Sequence, residues 1–404
     1  MAIPRQRLES FIVWLYPLLL VTWLFLLPWG KGVSGFLYPL IMVLGVVQLI
    51  LFPHDLLERK GYLLIIAGYL LLVLLSLLYT PDIHRGGRIF NQQLLLLIVP
   101  LLLILTIDRT TVRKGVLALM AGGVILAAIA LYQGIVLHMY RPPTIWHAVH
   151  AGNLLLFTMV ATLVLLLQRP RPSAVLLLGG ALLAQGGALL LNGTRGAWIA
   201  FMVAAIILPL HARTLSRRWH IGLSLLLLLA VVTLYQLAPV RAKVANAKSD
   251  ISLYLQNNAS ATSLGGRFDM WRAGITMAQR HPLLGVGTGG WETTVSTMVA
   301  QQEAPEYILQ FNQPHSIYID AVSSRGFPGL LALLALIGYP LFMAMTAPAG
   351  SDELARLLVL GAAIAFLVAG CSDTLLQVRQ VFLVYIALTG IGMAMLLKER
   401  GMGH

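Results

Sequence analysis

Apolar runs about as long as a bilayer-crossing helix recur along almost the whole chain, divided by short polar breaks. Twelve stand out, near 9–29, 33–52, 61–79, 90–107, 115–138, 150–168, 173–191, 196–211, 219–237, 316–346, 354–371 and 379–397. Lipid offers no partners to backbone amides, so each run is predicted to be a helix. The run from Phe11 to Trp29 is too long for the apolar core of a signal peptide and is read as the first span. The tenth run is overlong and interrupted by Gly326, Pro328 and Gly329, which predicts a kink. The expected fold class is therefore all-α, a polytopic integral membrane protein with about twelve transmembrane helices. Helices one to nine occupy 1–237, a large loop with short helices spans 238–314, and 315–404 hold helices ten to twelve and the C-terminal tail. Neither a soluble domain nor a tandem repeat is evident.

Composition agrees. The 404 residues are 58% hydrophobic and 11% charged, against roughly 25% charged in soluble domains. With one cysteine, Cys371, an internal disulfide is excluded and helix packing must hold the framework. Basic residues concentrate in alternate connections, among them Arg5, Arg7, Arg59, Lys60, Arg109, Arg113, Lys114, Arg213 and Arg356. The positive-inside rule then makes both termini cytoplasmic and turns 238–314 outward, toward the periplasm. This bias accounts for most of the +13 net charge, so nucleic acid is not an expected partner.

The outward connections nevertheless carry arginines: Arg85 and Arg88 in YTPDIHRGGRIF, Arg195 in LNGTRGAW and Arg267 in SLGGRFDMW. Taken singly, each fits a lipid headgroup contact or a pair with Asp82, Asp269 or Asp373. Taken together they fit a polyanion better, because guanidinium binds phosphate through a planar fork and stays charged. Inside the long loop, ISLYLQNNASATSLGG reads as a polar mobile stretch. RFDMWRAGITMAQRH follows as a short amphipathic helix with Phe268, Trp271, Ile275 and Ala278 on its apolar face. Gly285, Gly287 and Gly290 have G-x-G-x-x-G spacing, but no strand precedes them, so they read as a turn cluster and not a dinucleotide loop. His147 and His150 lack further ligands for a metal and read as helix-start residues. No G-x-S-x-G elbow is present.

His315, in FNQPHSIYIDAVSSRG, is expected in the first turn of the tenth helix, after Pro314 and with Asn312 as a possible cap. The positive helix end favours neutral imidazole there, the form that can take a proton. On an ideal helix Gly326 returns to within ~20° of His315 and would let a neighbouring helix or a ligand tail approach. The residues alone equally allow an interfacial histidine bonded to a backbone carbonyl.

The stretch from His315 to Gly326 resembles the H-x10-G pattern of bacterial O-antigen ligases. GGRFDMWRAGITMAQRHPLLGVGTGGW and TRGAW resemble elements of the wider family of O-antigen ligases, O-antigen polymerases and pilin-type oligosaccharyltransferases. The many-helix layout with one large late loop is similar too, and matches a GT-C-like glycosyltransferase architecture. The resemblance implies transfer of a glycan from undecaprenyl pyrophosphate to a sugar hydroxyl of lipid A-core, at the periplasmic face of the bacterial inner membrane, in lipopolysaccharide biosynthesis. His315 would be the general base. Arg88, Arg195 and Arg267, with Arg85 less central, would hold the pyrophosphate, and Gly326 would be a structural motif residue. No cofactor or metal is expected, since Asp82 is the only acid in the early outer connections; displacement opposite the pyrophosphate would invert the anomeric centre. Membrane lipids are the other expected partners. Glu292, Glu303 and Glu306 are second choices for the base. One large loop instead of two favours a ligase over a polymerase, and a flippase of lipid-linked oligosaccharide is the reading from a different class.

Overall fold

The computed structural model describes residues 5–30, 32–51, 60–104, 108–216, 238–256 and 264–401, with isolated positions between. Among these, every regular element is helical. The helices are α1 (Arg5–Leu26), α2 (Ser34–Leu51), α3 (Lys60–Ser76), α4 (Ile83–Gln93), α5 (Ile98–Ile104), α6 (Arg109–Leu131), α7 (Ala148–Leu167), α8 (Pro172–Asn192) and α9 (Arg195–His211). The second half contributes α10 (Ala238–Leu255), α11 (Gly265–Arg280), α12 (Trp291–Ala300), α13 (Ile317–Met345), α14 (Glu353–Gly370) and α15 (Arg379–Gly401). Seven helical stretches are long and apolar enough to cross a membrane, and four shorter apolar helices join them. These coincide with the expected runs, except that the ninth, 219–237, lies outside the described residues. The helical content and these lengths fit a polytopic membrane protein.

Burial separates helices that composition does not. α7, α14 and α15 are almost wholly enclosed, whereas α8, equally apolar, leaves most of its surface free. α14 packs on α15, α9, α13 and α7, and α6 on α1, α7 and α8. One continuous core results, carrying Trp23, Tyr62, Phe157, Phe366, Phe382 and Tyr385. One end of the bundle is stapled by Arg356, which bonds the Glu353 carboxylate at 2.8 Å through both Nε and Nη2, while Glu353 also accepts from Arg213 N. The other end carries the site described below.

Three departures from the sequence reading bear on that site. Arg85 and Arg88 lie on a helix, not in a connection, because Asp82 caps α4 by accepting from Arg85 N at 2.9 Å. Residues 251–255, expected to be mobile, close the last turns of α10. On α11 the buried face is Met270, Ala273, Gly274, Met277 and Ala278, so of the expected apolar positions Ala278 is buried, Phe268 and Trp271 are half-exposed and Ile275 is exposed. The aromatics point away because the small residues allow close packing: a side chain at Gly274 would strike Ile319 on α13. Met270, Ala273 and Met277 join Trp291, Val295, Met298 and Ile308 in a small second core.

The expected kink is present. Gly326 has φ 64° and ψ −166°, so α13 is two helices joined at a residue with backbone angles that only glycine adopts readily. Breaking a helix frees backbone groups that must find partners. The glycine-rich turn supplies them: Val286 N donates to Ser323 O, Gly287 N to Ser324 O, and Phe327 N to Pro282 O, all between 2.8 and 3.0 Å. The G-x-G-x-x-G spacing therefore marks a splint for the kink. Nor does Gly326 admit a ligand tail or another helix. The backbone of Pro282 and Leu283 fills the space where a Cβ would stand.

Candidate functional site

His315 is not in the first turn of α13. Ser316 is the N-cap, its hydroxyl accepting from Ile319 N, and Asn312 plays no capping part. The histidine sits one residue before that cap with φ 49°, a left-handed conformation uncommon for a residue with a side chain. Its premise as a helix-end group therefore gives way to a different arrangement. Nδ1 lies 3.7 Å from Oδ1 of Asp373, in the turn after α14. Asp373 is buried and fixed by Asn153 Nδ2 at 2.8 Å and Thr374 N at 2.9 Å. A histidine flanked by a fixed carboxylate has the pairing that general bases use.

The segment before His315 is held carbonyl by carbonyl. Trp291 Nε1 donates to Phe311 O at 3.1 Å, and Trp271 Nε1 to Pro314 O at 3.1 Å. Arg85 donates to Asn312 O between them and forms an ion pair with Glu292. The Phe311 ring meets the imidazole edge-on, centroids 5.8 Å apart. Arg85 thus ties α4 to the loop before His315, and its guanidinium, expected at the phosphate, is engaged by Glu292 and the Asn312 carbonyl. The same pair engages Glu292, and Glu303 is bound to Arg280 at 2.6 Å. Glu306 begins the short 3-10 turn Glu306–Gln310 and is exposed.

Arg195 and Arg267 do converge. Arg195 opens α9 immediately after the Asn192–Gly193–Thr194 turn. That turn is tied to the 141–148 segment: Asn192 Nδ2 donates to Ala148 O at 2.7 Å, and Arg141 Nε to Asn192 O at 3.3 Å. Gly196 allows α9 to press against the Asp373 turn, since a Cβ there would overlap Ser372 Oγ. Arg267, in the first turn of α11, interacts with Asp373 and with the like charges of Arg195 and Arg141. Burial, reinforced by those two guanidiniums and opposed by Asp373, holds Arg267 below the usual arginine range, yet still charged. Nη1 of Arg195 is buried and has no hydrogen-bond partner among the described residues. Lys243, on α10, stands beside Gly193, its ammonium 5.5 Å from the Tyr140 ring centroid. Cations outnumber carboxylates here, which suits an anionic ligand of more than one charge.

Arg88 occupies a neighbouring position. One turn further along the same face of α4, Gln92 bonds Leu376 O at 3.0 Å, just after Asp373. Arg88 itself is exposed, with no ion pair or hydrogen bond among the described residues. His147 and His150 stand at the start of α7, ring centroids 5.4 Å apart, with His150 within electrostatic reach of Asp373. Among the described residues no three His, Cys, Asp or Glu side chains gather as metal ligands. Sequence reasoning missed Asp373 as the histidine's partner and Lys243 as a member of the basic cluster, and it counted Arg141 among the outward arginines without singling it out as a ligand. Both Arg141 and Lys243 precede or follow the NGTR turn at long range, so spacing carries no sign of their convergence.

Residues 180–334 match the family model described as O-antigen ligase. The match includes the TRG element, α11, the glycine-rich turn and His315, and supports the O-antigen ligase superfamily. An uncharacterized protein of Haemophilus influenzae is 29% identical over 294 residues, covering 70% of this chain and 72% of that protein. The family and the apolar helices together point to glycosyl transfer by a multi-pass protein of the bacterial inner membrane.

Proposed function

We infer that the protein is an O-antigen ligase, moving a glycan from undecaprenyl pyrophosphate to a sugar hydroxyl of lipid A-core at the periplasmic face. The observation that carries this reading is the meeting of His315–Asp373 with the surplus of cations at Arg195, Arg267 and Arg141. The acceptor hydroxyl gives its proton to the His315 imidazole while its oxygen bonds the anomeric carbon. The bond from that carbon to the pyrophosphate oxygen breaks, and the leaving charge settles on the guanidiniums. Asp373 orients the imidazole and steadies its positive form. Attack opposite the leaving group inverts the anomeric centre, and the arginines neutralise the leaving charge that a metal would otherwise hold.

A polymerase or a pilin-type oligosaccharyltransferase would share these steps and differ in acceptor. A flippase is less well served, because the basic cluster gathers at one end of the bundle. Purified wild type and His315→Ala, incubated with lipid-linked glycan, lipid A-core and EDTA, separate the readings. Transfer to lipid A-core by the wild type alone supports the ligase and its base. Transfer only when a second lipid-linked glycan or a pilin is the acceptor would replace the ligase reading, and equal transfer by both proteins would remove His315 from the mechanism.

A further inference from the structure

Beside the site, α10 and α11 enclose an open groove of about 700 Å³ that the transfer steps do not use. Three aromatic rings form one wall: Tyr254 and Phe268 have centroids 5.0 Å apart, and Phe268 and Trp271 5.8 Å apart. Ile275 continues the floor, and Arg272 and Gln279 stand along the rim. We propose that this groove binds the sugar chain of the lipid-linked donor, a use that rests on the transfer reading above only for where the chain comes from.

The lining is matched to a saccharide. Aromatic faces accept the C–H faces of sugar rings, while guanidinium and carboxamide groups reach their hydroxyl edges. Ile251 and Leu255, on the α10 side, would also suit a polyprenyl tail, but such a tail would leave Arg272 and Gln279 idle. Depth argues the same way. Beyond the kink, residues 327–345 rise roughly 28 Å, enough by themselves to cross the hydrocarbon core. α11 packs instead beside the segment before the kink, with Gly274 against Ile319 and Ser323, which puts the groove on the water side of the span.

Continuity selects the donor. Arg267, assigned above to the leaving pyrophosphate, immediately precedes Phe268 on α11. Trp271 bonds the carbonyl of Pro314, next to His315. An attacking hydroxyl must arrive opposite the leaving group, so the chain that runs sideways along α11 is the one attached to the donor sugar.

The test uses the full-length protein in nanodiscs and two ligands: polyprenyl-diphosphate oligosaccharide extracted from its native cells, and the same lipid trimmed to one sugar. Wild type is expected to bind the long form about tenfold more tightly. Ile275→Glu and Gln279→Ala, both at exposed positions, are expected to abolish that preference and leave the one-sugar Kd unchanged. Equal affinity for both ligands in the wild type, or a preference that survives both substitutions, overturns the proposal. Because the readout is binding, a protein that prefers the long donor yet transfers it to no acceptor would sink the ligase reading and leave the groove standing.

Discussion

The imidazole of His315 and the carboxylate of Asp373 face each other at 3.7 Å across two different helix-flanking turns. One turn leads into α13 and the other follows α14, so the pair exists only because those helices pack side by side. Asp373→Asn keeps the shape and removes the charge that steadies an imidazolium. Its kcat is expected to fall by a factor of about 10²–10⁴, with no further loss when combined with His315→Ala. Steady-state transfer by the two single variants and the double variant checks this; additive losses would show that they do not act as a unit.

Arg85 and the cluster arginines are expected to fail differently. Arg195→Gln and Arg267→Gln remove contacts to the pyrophosphate and should lower kcat/KM for the donor by about 10²-fold. Arg85→Gln loosens the carbonyl clamp before His315 and should lower kcat about tenfold with donor KM unchanged. A rise in donor KM for Arg85→Gln would return it to the phosphate site.

Gly326→Ala is expected to destabilise the fold by about 3 kcal/mol or more. Its Cβ meets both a forbidden backbone conformation and the carbonyl of Pro282. Thermal unfolding in detergent reads the effect; an unchanged Tm would mean the kink can straighten without harm.

Inside α13, Asp320 and Arg325 form a buried pair at 3.9 Å, with Arg325 Nη1 also on Thr288 Oγ1 at 3.1 Å. Arg325→Met leaves Asp320 without its counter-charge and is expected to cost about 3–5 kcal/mol. Adding Asp320→Asn should restore much of that. A double variant no more stable than the single one would show that packing, not charge, is what Arg325 supplies.

Asp108 caps α6 by accepting from Thr111 N at 3.0 Å. Hydrogen bonds, that of the Thr111 side chain foremost, hold its carboxyl below the usual range. A depressed folded value means the cap's contribution is complete above the unfolded value of about 3.9 and drains as pH falls through the folded one. Asp108→Ala should therefore cost at most about 1 kcal/mol near neutral pH, given the exposure of the site. That gap should shrink below about pH 4. A gap that persists in acid would assign the effect to helix propensity.

Much of this molecule was legible before any folding was considered. The apolar runs, the kink at Gly326 and the turn formed by the glycine cluster follow from local chemistry, as does the short helix before His315. What misled was placement within a turn or on a face. Ser316, not Asn312, caps α13, because the chain turns at His315 with a left-handed backbone. On α11 the aromatics mark the apolar face, yet the face packed on α13 is the one carrying Gly274, because it lets the helices approach closely.

Sequence by itself determined which segments are helices and which residue types are available for phosphate and proton chemistry, since both depend on neighbours a few positions away. Only the tertiary structure decided which of those residues meet. Asp373, Arg141 and Lys243 reach the site through packing between distant segments, and Arg85 is joined there to Glu292 and to a carbonyl on the His315 loop. Uniformly apolar helices carry no stripe to say which face is enclosed, so α8 and α15 look alike until their neighbours are in place.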